Sequence, residues 1–74
     1  MKLTFEKEHI KIEFHENEDN NYEVDLNSLN NETLYKLILE CINNKEKLEI
    51  VKVNEIGEYQ SKIYDIFIDE FKNN

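Results

Sequence analysis

The spacing of the apolar residues changes from period two to helical spacing after the first third of the chain, and this change restricts the folds that the chain can adopt. In the first third, apolar side chains recur at every second position, which is typical of β-strands with one buried face. The alternation slips in phase between Phe5 and Ile10, so a turn is predicted near Lys7 and Glu8. The resulting sets are Leu3 and Phe5, then Ile10, Ile12 and Phe14, then Tyr22, Val24 and Leu26. They predict a three-stranded antiparallel meander.

The segment after the meander has helical spacing instead. Its apolar residues are Leu34, Leu37, Ile38, Cys41 and Ile42, and Tyr35 and Leu39 widen the stripe. Asn30 or Asn31 is a suitable N-cap, and Glu32 in the first turn complements the helix dipole. The pair Asn43 and Asn44 is expected to end this amphipathic helix.

A strand and a second helix are predicted after the first helix. Residues 47–53 (KLEIVKV) are rich in β-branched side chains and favour a strand, with a short helix as the alternative. A second helix follows Gly57 and reaches about Lys72. Its apolar arc is wider than a helix packed on one side needs. The edge of the arc, at Tyr64 and Ile68, is therefore either a second buried side or a contact surface for another chain, such as a second copy.

These elements define an α+β fold in a single domain spanning residues 1–74. We expect a small antiparallel β-sheet, formed by the N-terminal meander and the extra strand, with two amphipathic helices packed on one face. A chain of 74 residues without proline and with one glycine has no linker and room for only one core. It has no signal-peptide pattern and no apolar run of the ~20 residues that span a bilayer. The single Cys41 cannot form an internal disulfide, which favours a reducing cytoplasm. Eleven asparagines, nine isoleucines and nine lysines with no arginine indicate a coding sequence rich in A and T, which fits the cytoplasm of a low-GC bacterial host cell.

The charge composition bears on the class of partner. The net charge is −8, from 17 acidic residues and 9 basic ones, and all of the basic residues are lysine. Arginine is the usual reader of phosphate and guanine, so direct nucleic-acid binding is disfavoured. A chain this acidic is attracted to basic surfaces instead.

A calcium loop is the first specific interpretation of the acidic stretch HENEDNNYEVD (15–25). Asp19, Asn21, Glu23 and Asp25 occupy the first, third, fifth and seventh positions of such a loop. An EF-hand loop also needs glycine at position 6 and glutamate at position 12, where this chain has valine and asparagine. Calcium binding is therefore not expected.

Other metal and catalytic sites are also disfavoured. His9 and His15 lie six residues apart on one predicted strand, which separates them by ~20 Å, and Cys41 lies on the apolar stripe of a helix. Ser28 and Ser61 have no histidine–acid pair near them in the predicted elements, and no glycine-rich phosphate loop is present. The sequence predicts no metal, no cofactor and no enzymatic activity.

The remaining candidate site is the acidic surface itself. No lysine occurs between Ile12 and Tyr35, so local neutralisation is not expected. If Phe14 pairs with Tyr22 across the hairpin, Lys11 faces Asp25 and Glu13 faces Glu23. The candidate partner-binding residues are Glu13, Glu16, Glu18, Asp19, Glu23 and Asp25, with Asp65 and Asp69 as a second patch. Neighbouring outward carboxylates lie ~6.6 Å apart on a strand and ~6 Å apart on a helix, close to the spacing of phosphates on a nucleic-acid strand. The alternative is a solvated face without function.

In its size, its acidic hairpin HENEDNNYEVD and its order of a meander followed by helices, the chain resembles the small acidic inhibitors of phages and mobile elements. These include anti-CRISPR proteins and other DNA mimics. The resemblance implies binding to the PAM-reading or guide-binding surface of a CRISPR effector, without catalysis. The leading hypothesis is therefore a small acidic inhibitor of a basic nucleic-acid-binding protein. The alternative is an interaction module, such as an antitoxin, immunity protein or phage accessory protein, that acts through its apolar C-terminal helix.

Overall fold

The computed structural model describes residues 1–15 and 18–72 and has four strands and two α-helices in this part of the chain. The strands are β1 (Lys2–Phe5), β2 (His9–Glu13), β3 (Tyr22–Asp25) and β4 (Glu49–Lys52). The helices are α1 (Asn31–Asn43) and α2 (Glu58–Phe71). Short 3₁₀ segments occur at Glu18–Asn20, Leu26–Ser28 and Lys45–Lys47. The α+β class is confirmed, and residues 47–53 contain a strand rather than a short helix.

The sheet has the strand order β3-β2-β1-β4. Strands β1, β2 and β3 form the predicted antiparallel meander, whereas β4 pairs with β1 in parallel. The sheet is therefore mixed rather than antiparallel throughout. The cause is the path of the chain, because α1 connects edge strand β3 to the opposite edge strand β4, and the two edge strands run in the same direction.

The pairing of β2 with β3 corrects the expected register. Ile12 rather than Phe14 lies opposite Tyr22, which shifts the register by two residues. In this register the backbone N–H of Phe14 donates to Oδ1 of Asn21 at 2.7 Å, just beyond the paired residues. A two-residue shift keeps every side chain on its expected face but changes its partner across the strands. Lys11 now faces Glu23.

The core lies between one face of the sheet and the two helices. The buried sheet residues on this face are Leu3, Phe5, Ile10, Ile12, Val24 and Ile50. Helix α1 adds Leu37 and Cys41, and α2 adds Ile63 and Phe67. The ring of Phe5 meets that of Phe67 at a centroid distance of 5.7 Å. Both helices therefore cover the same face of the sheet, as predicted.

The start and the end of α1 are fixed by asparagine side chains. Oδ1 of Asn30 accepts from the backbone N–H of Thr33 at 2.9 Å and from its hydroxyl at 3.1 Å. At the other end, Nδ2 of Asn44 donates to the carbonyl of Glu40 at 2.8 Å. Of the two candidate N-caps, Asn30 is the cap. No helix within the described ranges is long and apolar enough to cross a membrane.

Replacing Asn30 by alanine is expected to lower the free energy of unfolding by about 1 kcal/mol, because the first turn of α1 loses its side-chain acceptor. Urea unfolding followed by circular dichroism measures this change. Asn31→Ala is the matched control, since Asn31 is exposed and follows the cap, and it should change stability by less than about 0.5 kcal/mol. Equal effects of the two substitutions would contradict the assignment of the cap.

Candidate interaction surfaces

The face of the sheet turned away from the helices is the first candidate surface, and we call it the open face. Its residues alternate with the core residues along all four strands. They are Lys2 and Thr4 of β1, His9, Lys11 and Glu13 of β2, Glu23 and Asp25 of β3, and Glu49 and Val51 of β4. Among residues 1–15 and 18–72, no helix covers this face. Its charged side chains therefore project from a rigid support into solvent.

Basic side chains lie among the carboxylates of the open face. Nζ of Lys11 is 3.7 Å from Oε1 of Glu13, and Glu23 is the cross-strand neighbour of Lys11. Nε2 of His9 lies 2.6 Å from Oε2 of Glu6 and 3.7 Å from Oε1 of Glu23. The expectation that nothing neutralises these acids locally is wrong, because β2 places Lys11 and His9 next to β3. Exposed pairs of this kind contribute at most about 1 kcal/mol each and leave the carboxylates accessible.

The predicted partner-binding acids are brought together only in part. Glu13, Glu23 and Asp25 lie on the open face, and Oδ1 of Asp25 also accepts from the backbone N–H of Asn27 at 2.8 Å. Asp19 is exposed in the 3₁₀ segment of the loop between β2 and β3. Glu16 and the side chain of Glu18 lie outside the described part of the structure.

The second predicted patch is on another side of the molecule. Asp65 and Asp69 are exposed one turn apart on α2, as the helical spacing predicts. Helix α2 packs on the face of the sheet opposite the open face. A single flat binding groove on a partner therefore cannot contact both patches at once.

The two residues predicted at the edge of the apolar arc of α2, Tyr64 and Ile68, are half-buried and pack against the core. The Tyr64 ring meets Phe5 edge-on at a centroid distance of 5.4 Å, and Nζ of Lys52 lies 5.0 Å from its centroid. The most exposed apolar side chains of α2 are instead Tyr59 and Ile66, at 57% and 59% of full exposure. They lie seven residues apart, on the other edge of the arc. Of the two alternatives for Tyr64 and Ile68, a second packed side or a contact surface for another chain, their half-burial against the core agrees with the first.

A groove of about 690 Å³ lies between α1 and α2, and we call it the helix groove. Its apolar lining includes Leu34, Ile38 and Ile42 from α1 and Tyr59, Ile66 and Phe71 from α2. Ile42 is 53% exposed. The charged residues that line the groove are Lys45, Lys62 and Glu70, so its lining carries more positive than negative charge in a chain of net charge −8.

A hydrogen bond connects the edge strand β3 to α1. The Tyr22 hydroxyl donates to the carboxylate of Glu40. Burial raises the pKa of Tyr22 above its ordinary value, and the hydrogen bond and the negative charge of Glu40 raise it further. Burial, followed by the charge of Glu40, raises the pKa of the Cys41 thiol to about 12. A thiol that stays protonated at neutral pH is a poor nucleophile and a poor metal ligand.

Within the described residues, no group of three His, Cys, Asp or Glu side chains could hold a metal ion. Comparison of the chain with protein-family models, with curated proteins and with solved structures gave no match. The open face and the helix groove are therefore the two candidate functional surfaces.

Proposed function

We propose that this protein is a small non-enzymatic inhibitor whose open face binds a basic surface of a partner protein and keeps nucleic acid away from it. The observation that supports the proposal is the projection of Glu13, Glu23 and Asp25 from one uncovered sheet face. The net charge of −8 and the absence of arginine favour a basic protein as the partner over a nucleic acid.

The geometry of the open face suits a surface built for phosphates. Glu23 and Asp25 are two residues apart on β3, which separates their Cα atoms by ~6.6 Å. Glu13 belongs to the neighbouring strand and is diagonal to Glu23, because Lys11 occupies the position opposite Glu23. Such diagonal neighbours lie ~7–8 Å apart. A sheet holds these carboxylates with little conformational freedom, so binding loses less entropy than it would with a flexible acidic loop.

The basic side chains of the open face restrict the kind of partner. Lys11 forms a weak, exposed ion pair with Glu13, and Nε2 of His9 lies 3.7 Å from Oε1 of Glu23. A partner must replace these contacts with stronger ones. Arginine does so, because its guanidinium binds a carboxylate through two parallel hydrogen bonds. An arginine-rich nucleic-acid channel, such as that of a CRISPR effector in the cytoplasm of a bacterial host, has this chemistry.

The inhibition would be stoichiometric and competitive. The inhibitor occupies the partner's basic surface without making or breaking a covalent bond, so one inhibitor molecule inhibits one partner molecule. Electrostatic attraction speeds the encounter, and both affinity and association rate fall as salt is added.

Neutralising the open face with Glu13→Gln, Glu23→Gln and Asp25→Asn is expected to weaken binding by roughly a hundredfold, since each exposed ion pair contributes up to about 1 kcal/mol. The measurement is competition with target DNA for a panel of guide-loaded CRISPR nucleases, at low and at high salt. Circular dichroism checks that the fold is retained.

The matched control is Glu58→Gln, Asp65→Asn and Asp69→Asn, which removes the same number of charges from α2. It should leave binding within a few-fold of the unmodified chain. A third variant neutralises Glu16, Glu18 and Asp19, and the same competition measurement then tests whether the binding surface extends into the hairpin loop. If the open-face variant competes with target DNA as well as the unmodified chain does, the proposal is refuted. If the open-face and α2 variants lose the same affinity, binding depends on net charge and not on the open face.

A further inference from the structure

The helix groove is lined by apolar side chains that are not part of the buried core. Ile66, Tyr59 and Ile42 are each more than half exposed, although residues of their type are usually buried or partly buried. They lie on two neighbouring helices and line one groove, and they are not scattered singly over the surface. A contiguous apolar surface of this kind is typical of a protein contact.

The α2 side of the groove has a pattern that is complementary to itself. Tyr59, Lys62, Ile66 and Glu70 follow one another at spacings of three or four residues and all line the groove. Lys62 and Glu70 lie four residues before and after Ile66, with opposite charges. When two such helices pack antiparallel with their Ile66 residues in contact, each lysine comes opposite a glutamate of the other helix.

We infer that the helix groove is the contact surface of a homodimer, in which α2 of each chain packs antiparallel against the other about a two-fold axis at Ile66. Lys62 of each chain then faces Glu70 of the partner subunit, and this contact occurs twice. Such reciprocity is the defining property of a two-fold interface. The contact between Lys62 and Glu70 of the partner subunit requires only the charge and the position of Glu70. It does not require that Glu70 lack contacts within its own chain.

The charge of the groove favours a second copy over a basic partner. Two of its three charged lining residues are lysines, whereas the rest of the molecule is strongly acidic. A basic partner would be attracted elsewhere on the surface. A second copy instead supplies an acidic chain with an α2 of matching charge order. The groove and the open face are on opposite sides of the sheet, so the inference goes beyond the proposed function and does not depend on it.

The dimer should tolerate salt. Its contact is mainly apolar, and added salt screens the repulsion between two chains of net charge −8. Sedimentation equilibrium over a range of chain concentrations, at low salt and at about 1 M salt where the Debye length is ~3 Å, should give a dimer whose dissociation constant is unchanged or lower at high salt. Binding through the open face should instead weaken as salt is added, so the two proposals can fail separately.

Ile66→Asp should raise the dissociation constant of the dimer by roughly tenfold or more, because it places a charge in the centre of the contact. The fold should be retained because Ile66 is 59% exposed. Tyr35→Asp is the matched control: Tyr35 is exposed on α1 but does not line the groove, and its dimer should persist. A monomeric unmodified chain at every concentration, or an Ile66→Asp dimer as tight as the unmodified one, would overturn the inference.

Two further variants test the position of the axis. Lys62→Glu and Glu70→Lys should each weaken the dimer, and the double variant should restore it, since the opposite charges then face each other again. Ile66→Cys should form a disulfide between two chains under mild oxidation, because residues on a two-fold axis meet their own copies, whereas Cys41 is buried. Failure of both the restoration and the crosslink would exclude the antiparallel register at Ile66.

Discussion

Replacing Phe5 by alanine is expected to lower the free energy of unfolding by about 3–5 kcal/mol. Phe5 is fully buried in β1, which is an inner strand of the sheet. Its ring contacts Tyr64 and Phe67 of α2, so the substitution leaves a cavity between the sheet and that helix. Domains have roughly 0.05–0.15 kcal/mol of stability per residue. A chain of 74 residues therefore has about 4–11 kcal/mol of stability, and the loss is a large part of this total.

Two other variants make this prediction measurable if Phe5→Ala does not fold. Phe5→Leu keeps most of the volume and should cost less than about 1.5 kcal/mol. Tyr35→Ala removes an aromatic ring that is 63% exposed and should change stability by less than about 0.5 kcal/mol. Urea unfolding followed by circular dichroism ranks the three. A Phe5→Ala protein as stable as the Tyr35→Ala protein would show that the sheet and α2 do not share one core.

The elements of the fold could be predicted because each has a local cause. The alternation through Leu3, Phe5, Ile10 and Ile12 identifies one face of the sheet before any contact is known, and all four residues are buried. The side chain of Asn30 caps α1 through a contact three residues away. Causes that act over a few residues can be read from a single sequence.

The arrangement of the elements depends on distant contacts, and there the sequence is less informative. A strand that follows a helix can pair in either direction, so the composition of KLEIVKV could not predict that β4 lies parallel to β1. The register of β2 on β3 depends on the loop, where Asn21 accepts from the backbone of Phe14. Period-two patterning allows registers that differ by two residues equally well.

The same limit explains the corrections at the candidate surfaces. Charges counted along the chain suggest an acidic segment without neutralisation, but β2 places Lys11 opposite Glu23 of β3. The expected register would also have placed this lysine opposite an acid, Asp25. The apolar arc of α2 is wider than one packed side needs, but the arc alone does not determine that Ile66 is exposed while Ile68 is half-buried. The Tyr22–Glu40 hydrogen bond joins residues eighteen positions apart and has no sequence signal that we can identify.

Alkaline pH is expected to destabilise the fold, and the buried Cys41 thiol is the main cause that we can assign. In the unfolded chain this thiol ionises near pH 9.0, but in the folded protein burial and then Glu40 raise its pKa to about 12. Between these values the unfolded state binds fewer protons than the folded state. Stability is therefore intact below about pH 9 and falls as the pH rises toward 12. A shift of this size corresponds to about 4 kcal/mol by pH 12. The pKa of Tyr22 is also raised, so its contribution has the same sign and begins above pH 10.

Urea unfolding at intervals between pH 8 and pH 12 measures this loss, and two variants divide it between the two groups. Cys41→Ala lowers stability at every pH because it removes buried atoms, but it should abolish most of the decline that begins near pH 9. Tyr22→Phe removes the hydroxyl and its bond to Glu40, and should reduce only the part of the decline above pH 10. If Cys41→Ala follows the same pH profile as the unmodified chain, displaced by a constant, then the thiol is not the group responsible for the decline.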